Sequence, residues 1–259
     1  MSDDPTTWLA DLPNWAFAFT LVLARCGGAA TMLPGLGEAV YPPSVRPGLA
    51  LAVTFVLLPG LIPLIPEVPL AGLPAAGMLG AELVTGLWFG WLARLVCLAL
   101  PMAGQFIAYL LGISTVLQPD AELGPQTTAL ASLFQIIAPL AVLVTGLYAQ
   151  PLAALAGSYR LIPPGALLPS GDGTTLAISA VAQAFALALQ LASPFLIAGI
   201  VWHVVIGLMA RLVPRLQVYF IAMPGQILGG LVLLAGLGGT VLAAWQDTVR
   251  DSFAMLPGN

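Results

Sequence analysis

The stretch from Ala75 to Pro119, whose residues 77–119 read GMLGAELVTGLWFGWLARLVCLALPMAGQFIAYLLGISTVLQP, decides the fold. It is an apolar run interrupted by Glu82, Arg94 and Gln105. As one helix it would reach about 65 Å, twice the roughly 30 Å of a bilayer's hydrocarbon core. The segment must therefore turn, tilt strongly or leave the membrane. Pro101 is expected to divide it into a first helix, residues 75–100, and a second piece running to Leu117. In the first helix Glu82, Gly86, Gly90 and Arg94 follow one another at i+4 steps, so they share one stripe. Two charges and two glycines on one stripe predict a face turned toward protein, with the glycines admitting a close neighbouring backbone.

Composition extends this reading to the whole chain. Of its 259 residues 59% are hydrophobic and 7% charged, with mean hydropathy +1.01, whereas soluble domains carry about 25% charged residues. An all-α integral membrane protein is predicted, a single polytopic domain of about six apolar helical segments, two of them long and proline-broken into hairpin-like pieces. The seven basic residues are all arginines, at 25, 46, 94, 160, 211, 215 and 250, so lysine Schiff-base chemistry is excluded. Their scatter gives neither the basic stripe of a nucleic-acid binder nor a polybasic membrane patch. Cys26 and Cys97 lie inside apolar runs and read as small buried hydrophobes.

In chain order, residues 1–14 are an acidic tail with Asp3, Asp4 and Asp11, lacking the positive start of a cleavable signal peptide. Trp15 to Leu33 forms a first span with an aromatic belt of Trp15, Phe17 and Phe19. Arg25, near its middle, requires a carboxylate, a carbonyl or a watery gap. Turn residues around Pro34-Gly35 and Pro42-Pro43 precede Arg46 and a second span, Leu49 to Ile65, interrupted at Pro59-Gly60. Thr127 to Leu147 is a further span with Pro139 inside it. Residues 159–175 read as a hydrophilic loop. Thr174 to Ala210 is expected to break at Pro194, and Arg211 with Pro214 to stop it. The last span, Val218 to Ala244, ends at Trp245 as an interface marker before a tail at 246–259.

No catalytic constellation emerges. His203 stands in an apolar run and reads as a packing histidine with one hydrogen bond, and one His with two distant Cys makes a poor metal site. Glu82 and Arg94, about 18 Å apart along one helix, need partners elsewhere. No enzyme activity, cofactor or metal is expected.

Four pieces in order carry a resemblance. They are Arg25-Cys26-Gly27-Gly28 with Leu33-Pro34-Gly35-Leu36-Gly37 and Arg46; Gly80-Ala81-Glu82 with Gly86, Gly90, Arg94 and Gly104-Gln105; Leu117-Gln118-Pro119; and Ser193-Pro194-Phe195, Gly207-Leu208, Ala210-Arg211, Pro214, Gln217-Val218 and Pro224. Together they resemble the FliR family of flagellar export-gate subunits in type III secretion, over nearly the whole chain. The resemblance implies a single copy assembled with FliP and FliQ homologues, and FlhB, in the bacterial inner membrane at the flagellar basal body. There it would pass unfolded protein substrates without chemistry of its own.

The same resemblance maps a gate plug onto about Gly104 to Leu117, with Gln105, Phe106, Ile107, Tyr109, Leu110, Leu111, Gly112, Ile113 and Ser114 as its residues. Arg25, Arg46, Glu82, Gly86, Gly90, Arg94, Arg211 and Pro214 are candidate assembly charges and packing positions. The chain departs from the family pattern at Gln226, where a basic residue is expected, and at His203, where a small polar or acidic one is. A virulence-type secretion homologue of the same subunit is an alternative reading. A small-molecule transporter is another, for which an inverted repeat with matching polar residues would be needed.

Overall fold

The computed structural model describes residues 7–38, 42, 44–66, 72–113, 127–167, 170–212 and 218–258. Among these the regular structure is helical, joined by turns: α1 (Thr7–Met32), α2 (Val45–Leu61), α3 (Gly72–Cys97), α4 (Ala99–Leu110), α5 (Ala129–Val144), α6 (Ala149–Leu161), α7 (Ser170–Leu212) and α8 (Val218–Ala254). Five stretches are long and apolar enough to cross a membrane, or six if α5 and α6 together count as one. The protein is an all-α integral membrane protein.

The helices sort into two compact units. One comprises Met1–Arg94, Val142–Ser179 and Ser252–Asn259; the other comprises Leu95–Ala141 and Ala180–Asp251.

The first unit is built on α1 and α3. Leu21, Val22, Cys26, Ala29 and Ala30 of α1 and Ala81, Phe89, Leu92 and Ala93 of α3 are buried. The two helices run parallel, since contacts advance together from Arg25 and Gly86 to Met32 and Gly90. α2 supplies the antiparallel return, with the Phe55 ring tilted against Phe19 of α1 at a centroid distance of 5.4 Å.

In the second unit, Gly104 of α4 lies against α5: a Cβ there would stand 2.8 Å from Phe134 Cδ2 and 3.1 Å from Ala131 Cα. Phe106 of α4 meets Phe185 of α7 edge to face, with centroids 6.0 Å apart.

The two long segments resolve differently from the expectation. The first divides at Leu98, and Pro101 sits in the first turn of α4, where a missing N–H costs no helical bond. The second does not divide, because α7 runs unbroken through Pro194. Pro194 leaves the Gln190 carbonyl without its usual donor, and Ser193 Oγ donates to that oxygen at 2.7 Å. A hydroxyl one residue before the proline thus finishes the backbone where lipid cannot.

Three further boundaries move. The loop expected at 159–175 is shorter, since Tyr159 to Leu161 end α6 and α7 already begins at Ser170. α8 continues past Ala244 to Ala254, so most of the supposed tail is helix. Trp245, expected at an interface, is instead fully buried, as is Phe253 eight residues on along the same helix.

Ser193→Ala should destabilise the purified chain by about 1 kcal/mol, and Pro194→Ala in the same chain should cancel the loss by restoring the N–H. Thermal unfolding in detergent of both variants reads this; equal loss in the single and double variants would contradict it.

Candidate functional site

At the centre of the first unit lies a fully buried ion pair. Arg25 Nε donates to Glu82 Oε2 at 2.7 Å and Arg25 Nη2 to Glu82 Oε1 at 2.9 Å, a bidentate fork with both side chains sealed from solvent. Two further guanidinium protons are used as well. Nη1 donates to Ser158 Oγ at 3.1 Å and Nη2 to the Ile162 carbonyl at 3.0 Å, while the Tyr159 ring lies 4.0 Å from Arg25 Cζ. Ser158 Oγ passes its own proton to the Leu155 carbonyl at 2.6 Å.

Glu82 receives a further donor from a turn. Gly165 N–H donates to Oε1 at 2.7 Å. Pro163-Pro164-Gly165-Ala166 closes with Ala166 N–H on the Pro163 carbonyl at 3.0 Å, and Gly165 has φ +81. Proline at the second position and a left-handed glycine at the third are the signature of a type II turn.

This pairing depends on how closely α1 and α3 approach. A Cβ on Gly86 would run into the Arg25 carbonyl oxygen, one on Gly28 would stand 2.6 Å from the Leu83 oxygen, and one on Gly90 2.7 Å from the Ala29 oxygen. The stripe Glu82, Gly86, Gly90 therefore faces protein, and its neighbour is α1. Arg94, at the far end of the stripe, reaches Glu38 at 3.4 Å, with both groups partly exposed. Arg46 Nη2 donates to the Glu38 carbonyl at 2.8 Å. Arg25, Arg46, Glu82 and Arg94 thus all find partners within this chain. Glu38, Ser158, Tyr159 and Gly165 complete the clusters without having been singled out in the sequence, and only the Pro-Pro-Gly turn carried a local signal.

The second unit holds the candidate plug. Gly104 to Leu110 form the second half of α4, followed by a turn through Leu111 and Gly112, which has φ +71. Gly104 is a packing glycine under Phe134. Gln105 Oε1 accepts from Thr128 N–H at 3.2 Å and Thr128 Oγ1 at 3.0 Å, and Thr128 in turn caps α5 by accepting from Ala131 N–H at 3.3 Å. Ile107, Leu111 and Ile113 are buried, whereas Tyr109 is 60% exposed. Ser114 and the remainder of the expected plug to Leu117 lie outside the described residues, as does Pro214. Arg211 occupies the last turn of α7. His203 Nδ1 lies 2.6 Å from the Gly199 carbonyl one turn back, a bond local to its own helix.

Comparison with known proteins adds the context for this arrangement. The family described as "Bacterial export proteins, family 1" matches residues 16–252. A flagellar biosynthetic protein FliR of Caulobacter vibrioides is 30% identical over 237 residues, covering 91% of this chain and 94% of that protein. The FliR of Escherichia coli is 26% identical over 96% of this chain and 93% of its own length, and that of Bacillus subtilis 26% identical over 84% of each.

Glu82→Ala leaves Arg25 buried and unpaired and should cost about 3–5 kcal/mol. The double variant Arg25→Leu with Glu82→Leu should recover more than half of that loss. Folded yield and thermal unfolding in detergent check the pair; a double variant as damaged as the single one would show that the charge pairing is not what Glu82→Ala disturbs.

Proposed function

Because this chain belongs to family 1 of the bacterial export proteins, matched from residue 16 to residue 252, we propose that it is a subunit of the flagellar protein export gate. In this reading it sits in the bacterial inner membrane at the flagellar basal body. With FliP and FliQ homologues, and FlhB beside them, it forms the channel through which unfolded flagellar proteins leave the cytoplasm. The observation that carries the reading is the family match along nearly the whole chain, together with relatives that are named as flagellar proteins and are aligned over most of their own lengths. Those names favour the flagellar over the virulence-type system.

The fold supports a conduit role in physical terms. Sliding an unfolded chain past a gate requires surfaces without a specific ligand pocket, and an idle gate must still exclude ions. α4 ends in Phe106, Ile107, Leu110 and Leu111, apolar side chains that are able to seal against one another with no defined ligand. The gate acts by position, with transport driven by other components.

Co-expression should recover the chain in a detergent-stable complex with FliP and FliQ homologues. Deleting residues 106–112 should leave that complex assembled and raise its conductance to small ions. A deleted complex as tight as the wild type, or one absent from the membrane, would remove the plug assignment. Failure to co-purify with either homologue would remove the gate reading itself.

A further inference from the structure

The last turn of a helix carries carbonyls with no intrahelical donor. At the end of α4 one of these, the Leu110 oxygen, accepts from Gln226 Nε2 of α8 at 2.8 Å. The same amide underlies the turn that follows: a Cβ on Gly112, which has φ +71, would stand 3.7 Å from Nε2. One helical turn along α8, Gly230 seats Leu111 so closely that a Cβ there would meet Leu111 Cγ at 2.9 Å. On α7, Gly199 faces Leu110, with 3.6 Å from its would-be Cβ to Leu110 Cδ2. Gln226, Gly230 and Gly199 therefore hold three consecutive residues. Beside them is a cavity of about 230 Å³, almost wholly apolar, bounded by Leu110, Leu111, Trp202, Gly229 and Leu233.

We propose that Gln226 is the positioning residue of the gate: its amide latches the end of α4 in the closed arrangement, and the adjoining cavity receives Leu110 and Leu111 when the latch opens. The proposal rests on the export-gate reading and adds the contact that sets the gate's resting state. A single hydrogen bond between neutral groups is made and broken far more readily than the bidentate ion pair in the first unit. A moving element requires two arrangements close in free energy, and a neutral latch over open space supplies both. A basic side chain at this position would also reach the Leu110 carbonyl. It would hold the negative end of the α4 dipole more tightly and favour the closed arrangement.

The test uses the chain in its complex with FliP and FliQ homologues, reconstituted in lipid vesicles. Gln226→Met keeps the length of the side chain and removes the donor; Gln226→Lys keeps a donor and adds charge. With Met, amide hydrogen exchange at residues 110–112 should accelerate about tenfold and ion leak should rise severalfold. With Lys, exchange should be no faster than in the wild type and flagellar export should fall. Gly229 has open space around it, so Gly229→Leu should fill the cavity, leave the vesicles tight and reduce export. Wild-type exchange and leak in Gln226→Met would overturn the latch, as would undiminished export in Gly229→Leu. Loss of Gln226→Met from the membrane would make Gln226 a folding residue and also overturn it. A deletion of residues 106–112 that leaks, beside a tight Gln226→Met, would sink the latch and leave the gate reading standing.

Discussion

Arg25 and Glu82 impose the strictest condition on this chain. Each is a charged side chain within a stretch apolar enough to span a membrane and has no solvent access, and neither is tolerable there alone. Their pairing succeeds because most of the remaining hydrogen-bonding capacity is used: Ser158 and the Ile162 carbonyl each take a further guanidinium proton, and Gly165 N–H fills a carboxylate lone pair. A bidentate fork tolerates little displacement, so α1 and α3 must come within backbone contact, and glycines at 28, 86 and 90 make that possible. The ion pair and the glycine seam are thus one constraint. A side chain at Gly86 would collide with the carbonyl of the arginine that the pair requires.

The same demand, that no polar group be left over in lipid, explains the ends and interruptions of the other helices. Ser193 serves the carbonyl freed by Pro194, Thr128 caps the start of α5, and Gln226 serves the end of α4. These three are weak, neutral contacts, in contrast to the charged clamp of the first unit. Strength is placed where the fold must be unique, and weak contacts close the helix ends.

Much of this was legible in the residues. The i+4 stripe of Glu82, Gly86, Gly90 and Arg94 announces a buried packing face, because charge and glycine on one face of an apolar helix exclude lipid. A central Arg25 announces the need for a partner. The partner's identity was not legible, since residues 25 and 82 are 57 positions apart and join only through the parallel packing of α1 on α3. Pro194 misled for a related reason: proline's cost to a helix is local, but Ser193 relieves it, and that serine reads in sequence as an ordinary polar residue. Trp245 misled because tryptophan suits both a membrane interface and a core, and only tertiary contacts distinguish them. At the end of α4, the Gln226 contact across 116 residues left no trace in local pattern.

That the buried charges of the first unit are satisfied within one chain changes what they mean for assembly. Had Arg25 or Glu82 waited for a neighbouring subunit, the isolated chain would carry an uncompensated charge in the membrane, and folding would be inseparable from complex formation. With Glu82 supplied from α3, and α6 with its following turn closing over the pair, the charges no longer require a second protein for neutralisation. A partner then meets a framework whose most expensive interaction is already made. For the proposed gate assembly this leaves partner recognition to the exposed apolar and small residues, the surfaces on which lipid and protein compete most evenly.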